Sequence, residues 1–335
     1  MQPWSTAMAE SLYGSAGFYR RHQPNDHFRT SVSATPVFAA ALARLTVHVD
    51  RALEHPRRFD LVDVGAGDGS LLVGILKVLP DSLAKRVKPF GVEMRERPPN
   101  LEERVQWASQ LPAEVTGLII ANELLDNVPC DVVERVSGRA RIVLVDARGE
   151  ESAGPPAGAS QLTWLDAWWP LTGDGDRAEL GGERDNCWAG VVDSLTRGLA
   201  LAVDYGHLRE ERLAGQYRLG TLAGYREGHQ VLPVPDGTRD ITAHVAMDAC
   251  AAVGSAAGAQ HSELLTQRDA LRRLGVNGSL PDRGLAHSDP AEYVRQLSEV
   301  SSATELMDPA SLGSFWWLLQ SKGMPIPTGS DALSG

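Results

Sequence analysis

Phe59-Asp-Leu-Val-Asp-Val64 runs directly into Gly65-Ala-Gly-Asp-Gly69 and then into the apolar stretch Ser70 to Leu79. A short, mostly apolar run stopped by glycines reads as a buried strand, and the stretch after the glycines reads as a helix. A second strand, Lys88-Pro-Phe-Gly-Val-Glu93, follows Pro80 and Asp81 and completes a βαβ unit. Further strands are expected at Arg104 to Trp107, Gly117-Leu-Ile-Ile-Ala121 and Leu199-Ala-Leu-Ala-Val-Asp204, the last after a helix near Ala189 to Thr196. Strands alternating with helices imply an α/β fold with a doubly wound, mostly parallel sheet.

Outward from this frame, Val132 to Val145 reads as two strands about a Ser137-Gly138 turn, a hairpin inserted into the sheet scaffold. The stretch Arg148 to Ser160 is rich in Gly, Pro, Ala and charge, and reads as a solvated loop. Tyr205 to Thr238 is irregular and is expected to cap the sheet edge. The tryptophans Trp164, Trp168 and Trp169 are expected to pack that cap.

With 335 residues, 43% hydrophobic and 22% charged, the chain has the composition of a folded globular protein. A net charge of -11, with no local Lys/Arg cluster, argues against nucleic acid as a partner. No apolar run approaches the roughly 20 residues of a membrane span. Cys130, Cys187 and Cys250 stand far apart without a CxxC pair, so neither a disulfide framework nor a cysteine zinc site is suggested, and a cytoplasmic location is expected. His22, His27, His244 and His261 lack metal-binding spacing, and no metal is expected. Ser31, Ser33 and Ser70 sit outside any GxSxG elbow. The oligomeric state is not legible.

The glycine turn is the chemical signal. Gly65, Ala66, Gly67, Asp68 and Gly69 form GxGxG and lack the third glycine of the dinucleotide pattern GxGxxG, which disfavours an NAD enzyme. A turn of this kind lets backbone approach a ligand, and the next helix offers unpaired N–H groups. Asp63 and Asp68 would repel a pyrophosphate but suit the ammonium of the methionyl group of S-adenosylmethionine. Glu93 closes the second strand where an acid can accept both ribose hydroxyls, and Trp107 is placed to contact the adenine face. The bland alternative is that Gly65 and Gly67 only make a tight strand-to-helix turn.

Several separated blocks resemble the MidA-like proteins, over about residues 15 to 275. They are Gly17-Phe-Tyr19, Asp26-His-Phe-Arg-Thr-Ser31, Val62 to Gly69, Ala121-Asn-Glu-Leu-Leu-Asp-Asn-Val-Pro129, Val203-Asp-Tyr-Gly206, Asp240-Ile-Thr-Ala-His-Val245, Thr266-Gln267 and Leu274-Gly275. The family includes a mitochondrial protein-arginine methyltransferase that assists assembly of respiratory complex I. The resemblance implies a Rossmann-like class I methyltransferase that uses S-adenosylmethionine and acts on arginine of a protein acceptor. Departures fall at the acceptor side: the family's usual Gly-Asp-Phe-x-Thr-Ser begins Asp26-His here, Asn-Glu-Phe-Phe-Asp carries Leu124 and Leu125, and an acid expected near the next helix is replaced within Phe38-Ala-Ala-Ala-Leu42.

Methyl transfer from a sulfonium chiefly needs alignment and charge stabilisation. For a guanidinium acceptor, paired carboxylates supply both, and Glu123 and Asp126 are the candidates, with helix-start acids as the bland alternative. Asn122 is expected to orient the acceptor or the methionyl group, and His244 to act as a base for a hydroxyl or amine acceptor. Tyr19, Thr30, Ser31, Tyr205 and Asp240 are expected to bind the acceptor, with Asp204 nearby. Rival readings are a small-molecule O- or N-methyltransferase and a cofactor-binding assembly factor without catalysis. The expected layout is one methyltransferase domain over 1–335. It has an N-terminal helical segment at 1–55, core at 56–130 and 184–275, insertions at 131–183 and 205–240, and an extension at 276–335.

Overall fold

The structure is a computed structural model that describes residues 1–21 and 36–327. Thr30, Ser31, His22 and His27 lie outside the described residues. Along the chain the strands are β1 (Gln2–Pro3), β2 (Phe59–Val64), β3 (Val87–Val92), β4 (Gln106–Ala108), β5 (Val115–Asn122), β6 (Val132–Val136), β7 (Arg139–Val145), β8 (Glu151–Pro156), β9 (Arg177–Glu179), β10 (Leu195–Asp204), β11 (Gly206–His207), β12 (Ala223–Arg226), β13 (His229–Val231), β14 (Asp240–Thr242), β15 (Val245–Ala246), β16 (His261–Thr266) and β17 (Trp316–Lys322). The described residues form two compact units, one at 36–122, 193–203 and 258–327, the other at 1–21, 123–192 and 204–257.

The first unit carries a seven-stranded sheet in the order β16-β17-β10-β5-β2-β3-β4. From β10 to β4 the neighbours run parallel, whereas β16 and β17 pair antiparallel. All six residues of β2 are buried, as a strand covered on both faces requires. Leu61, Leu118, Ile120 and Leu201 from the sheet pack with Phe38, Leu42 and Leu45 of helix Pro36–Ala52 and with Leu71, Leu72 and Ile75 of helix Ser70–Val78. After β2 the chain builds β3 and β4 on one side, then returns to lay β5 on the other. That reversal makes the carboxyl ends of β2 and β5 the place where open α/β sheets bind ligands.

The second unit is built on a five-stranded sheet in the order β1-β7-β6-β9, with β8 also paired to β7. Helix Trp4–Tyr13 packs Trp4, Met8 and Leu12 with Val132, Val143 and Val145, while Leu165 and Trp169 pack with Val133, Ile142 and Ala178. Strands β11 and β15 form a small parallel pair, and β13-β12-β14 a three-stranded sheet.

The hairpin forms as expected, with Ser137 at φ 49° and Gly138 at φ 75°, the left-handed pair that a two-residue hairpin turn needs. It belongs, however, to the five-stranded sheet and not to the seven-stranded one. Arg148 to Ser160 is no loop: it supplies β8 and the start of helix Ala159–Trp168. Its prolines Pro155 and Pro156 are tolerated because β8 pairs on one side only. Tyr205 to Thr238, expected to be irregular, holds β11, helix Arg209–Leu213, β12 and β13. The segment read as an extension supplies β17, inside the seven-stranded sheet.

Candidate active site

The strand ends of the first unit converge on the glycine turn. Gly65 and Ala66 donate their N–H groups to Val92 O at 2.9 and 3.2 Å, which ties the turn to the end of β3. Gly67 adopts φ 60°, and a Cβ placed on it would find only Arg95 Nη2 within 4 Å, at 3.7 Å. The turn therefore bounds open space at a left-handed position. The carboxylate of Glu93 accepts Gly67 N–H on Oε2 at 3.0 Å and Arg95 N–H on Oε1 at 3.1 Å. Each carboxylate oxygen has two lone pairs, so further donors remain acceptable.

Trp107 stands over this turn. Its indole donates to Arg95 O at 3.0 Å, and its ring lies so close over Gly91 that a Cβ there would come within 2.5 Å of it. Asp68 Oδ1 accepts Ser70 N–H at the start of the following helix. Asp63 is buried at the end of β2, and burial, with Glu93 and Asp68 adding like charge, pushes its carboxyl up to about 7. Asn122, buried, ends β5 in the same unit.

The second unit gathers acids. Glu123 is half-buried and adopts φ 50°, a left-handed conformation unusual for a residue with a side chain. It is followed by a single 3-10 turn, Leu125–Asn127, so Glu123 and Asp126 do not open an α-helix. Asp204 holds that turn, accepting Leu125 and Asp126 N–H on Oδ2 at 2.9 and 3.2 Å. Asp126 accepts the Tyr205 hydroxyl on Oδ2 at 2.5 Å, and its Oδ1 is buried without a hydrogen-bond partner among the described residues. Burial and the charges of Asp126 and Glu123 raise Asp204, burial raises Asp126, and burial with Asp126 pushes Asp240 up to about 8.

Tyr19, Asn127 and Asp240 form a closed ring. The Tyr19 oxygen lies 2.7 Å from Asn127 Oδ1 and 2.8 Å from Asp240 Oδ2, and Asn127 Nδ2 donates to Asp240 Oδ1 at 3.0 Å. The phenol has one proton for two oxygens, so a proton on Asp240 completes the ring, in accord with its raised carboxyl. Arg184, fully buried, donates to the carbonyls of Asp126 at 3.0 Å, His244 at 3.0 Å and Val128 at 3.3 Å. His244 is kept neutral, its imidazole pushed down to about 4 by burial and by Arg184.

Within one unit, therefore, stand Asp63, Gly65, Ala66, Gly67, Asp68, Gly69, Glu93, Trp107 and Asn122, and within the other Tyr19, Glu123, Asp126, Tyr205, Asp240 and His244. Asn127 and Arg184 were not among the expected residues. The first lies inside the Ala121 to Pro129 block, so its signal is local. Arg184 has no local signal, because its partners are carbonyls 56 to 60 residues away along the chain, on both sides of it.

A family model for S-adenosyl-L-methionine-dependent methyltransferases matches residues 41–264. The mitochondrial protein arginine methyltransferase NDUFAF7 homolog of Drosophila melanogaster is 25% identical over 350 residues, which cover 89% of this chain and 76% of that protein. Among solved structures, a superfamily member from Burkholderia thailandensis with S-adenosyl-homocysteine bound is 25% identical at a TM-score of 0.82, covering 99% of this chain and 90% of that one. A native crystal structure of a superfamily protein from the same organism is 26% identical at a TM-score of 0.81, covering 98% and 89%.

Proposed function

This chain belongs to the S-adenosyl-L-methionine-dependent methyltransferase family that matches residues 41–264, and we propose that it methylates the guanidinium of an arginine in a protein acceptor. The cofactor is S-adenosylmethionine, which when bound supplies an electrophilic methyl group on a positively charged sulfur. The first unit fits such a group on two counts. Gly67 borders space that a ligand can fill, and Asp63 is a buried carboxyl that a methionyl ammonium would return to its charged form. Gly65, Ala66, Gly67 and Gly69 bring backbone to the cofactor, Asp63 and Asp68 attract its ammonium, and Glu93 receives ribose hydroxyls on lone pairs left free by its two backbone donors. Trp107 borders the adenine, and Asn122 orients the methionyl end.

The acceptor reading rests on the charge balance of the second unit. Beyond burial, Asp126 and Glu123 raise the proton affinity of both Asp204 and Asp240, while Arg184, whose charge lowers Asp126, directs its hydrogen bonds to main-chain carbonyls. A cluster of that kind favours a cationic ligand that only donates hydrogen bonds, which describes an arginine side chain. Asp126 Oδ1 and Glu123 hold the guanidinium, a carboxylate of the cluster takes the proton it loses, and Tyr19, Tyr205 and Asp240 fix the carboxylates in place. The name of the Drosophila relative agrees with this acceptor. The three cysteines are free, which favours the reducing cytoplasm as its location.

The decisive experiment incubates the protein with host-cell lysate and methyl-labelled cofactor, then analyses proteins and metabolites separately. Label in arginine of a protein supports the reading. Label confined to metabolites replaces it with a small-molecule methyltransferase, and no label transfer leaves a cofactor-binding assembly factor.

A further inference from the structure

Strands β11 and β15 pair in parallel, with His207 opposite Ala246, and this register brings the rings of His207 and His244 to 6.2 Å between centroids. His207 is fully buried, wedged between Trp169 and Tyr217, each 4.6 Å from it. Its Nδ1 faces Arg212 Nη1 at 2.8 Å. Arg212 is itself held on all sides: Nη2 donates to both oxygens of Asp248 at 2.8 Å, Nε donates to Trp168 O at 2.9 Å, and the side chain has no exposed surface.

A guanidinium only donates, so His207 Nδ1 must accept. A neutral His207 then carries its proton on Nε2, and that atom is buried without a hydrogen-bond partner among the described residues. Burial and Arg212 both oppose a second proton on this ring. The neighbouring His244 shows the complementary lack: its Nδ1 is likewise buried and without a partner. A single water at this spacing that accepts the His207 Nε2–H can donate to His244 Nδ1, which satisfies both atoms when Nδ1 is the acceptor.

We propose that the Asp248–Arg212–His207 array is a positioning relay that holds the His244 imidazole in the tautomer protonated at Nε2. Asp248 fixes Arg212, Arg212 fixes the lone pair of His207, and the Nε2–H of His207 orients the bridging water so that its own O–H is donated to Nδ1 of His244. The consequence for methyl transfer rests on the proposed acid cluster. His244 then offers an N–H from its far side and acts as a donor to a carboxylate, so the proton lost by the acceptor goes to a carboxylate and not to His244.

The test is nitrogen-15 NMR of the histidine side chains in the whole protein, with the His244 signals identified by their loss in His244→Gln. The expected wild-type spectrum shows His244 Nδ1 pyridine-like and Nε2 pyrrole-like. A His244 protonated at Nδ1, or averaged between both forms, overturns the relay. His207→Gln, whose Oε1 accepts from Arg212 and whose Nε2 donates onward, should keep the wild-type tautomer. His207→Leu should lose it, and a folded His207→Leu protein with the tautomer unchanged also overturns the relay. Should His207→Leu not fold, the wild-type and His207→Gln spectra decide alone. None of these readings needs the methyl acceptor, so they stand or fall separately from the proposed substrate.

Discussion

Gly67 donates its backbone N–H to Glu93 Oε2 at 3.0 Å, so the turn after β2 and the acid after β3 are locked to each other within the protein itself. Glu93 thus has an internal task beside the one proposed for it toward the ribose, and a substitution there tests both.

Glu93→Ala is expected to weaken S-adenosylhomocysteine binding about tenfold to a hundredfold, the effect of losing about 1 to 3 kcal/mol of hydrogen bonding. It should also lower the melting temperature of the ligand-free protein, because the N–H groups of Gly67 and Arg95 lose their acceptor. Titration calorimetry and thermal melts separate the two effects. Unchanged affinity with a lowered melting point would leave Glu93 its internal task alone.

Gly67→Ala should fold, at a cost of roughly 1–2 kcal/mol for a left-handed backbone carrying a side chain, since a Cβ meets only the flexible end of Arg95. Its S-adenosylhomocysteine affinity should fall steeply, and Gly67→Val should abolish binding. Wild-type affinity in a folded Gly67→Ala protein places the cofactor elsewhere.

Asp63 predicts a pH dependence of binding. With its carboxyl pushed up to about 7, the ligand-free protein is partly protonated there near neutrality, and a bound ammonium favours the charged form. Affinity for S-adenosylhomocysteine should therefore rise with pH below about 7, by at most about tenfold per pH unit, and level off above it. Asp63→Asn should bind weakly and without this slope; a wild-type curve that is flat from pH 5.5 to 8 counts against the role.

Asp240 predicts a pH dependence of stability. Its folded-state carboxyl lies at about 8, well above its unfolded value, so the folded protein binds the extra proton between the two. Stability is then fully present below the unfolded value and declines as pH rises toward 8. Asp240→Asn mimics the protonated acid and can keep the ring with Tyr19 and Asn127. Its melting temperature should match wild type only at about pH 3.5, below the unfolded value of an Asp carboxyl, and should exceed it increasingly as pH rises toward 8. A wild-type advantage at the higher pH would show that Asp240 is held as a charged group.

Glu123→Gln and Asp126→Asn keep shape and remove charge. If the carboxylates clamp a guanidinium, both variants should retain fold and cofactor affinity while methyl transfer drops by at least about a hundredfold. The assay uses the acceptor recovered from the lysate experiment, and full turnover in both variants removes the clamp. A smaller loss in one variant would rank the two acids.

The seven-stranded sheet was legible where burial on both faces leaves apolar runs, continuous in Leu118 to Ala121 and interrupted only by Asp60 and Asp63 in Phe59 to Val64. Strand β8 was not, because an edge tolerates the prolines and glycine that argue against a strand in the middle of a sheet. Strand β17 hid behind its buried polar residues, Gln320 and Ser321, which are satisfied by Ser262 Oγ and Met324 O far along or just beyond the strand. In the candidate site, the turn residues could be read because their spacing is local. Arg184 could not, since its helix Gly182–Ser194 is polar in composition and only the folded chain brings the carbonyls of Asp126, Val128 and His244 to one guanidinium.

Glu123 at φ 50° carries a consequence for anyone breeding heat-resistant forms of this enzyme. Glycine and asparagine occupy that conformation at lower cost, so a screen that rewards melting temperature will be drawn to Glu123→Gly or Glu123→Asn. Each removes one of the four carboxylates, and the hardiest survivors of such a screen should be among its poorest catalysts.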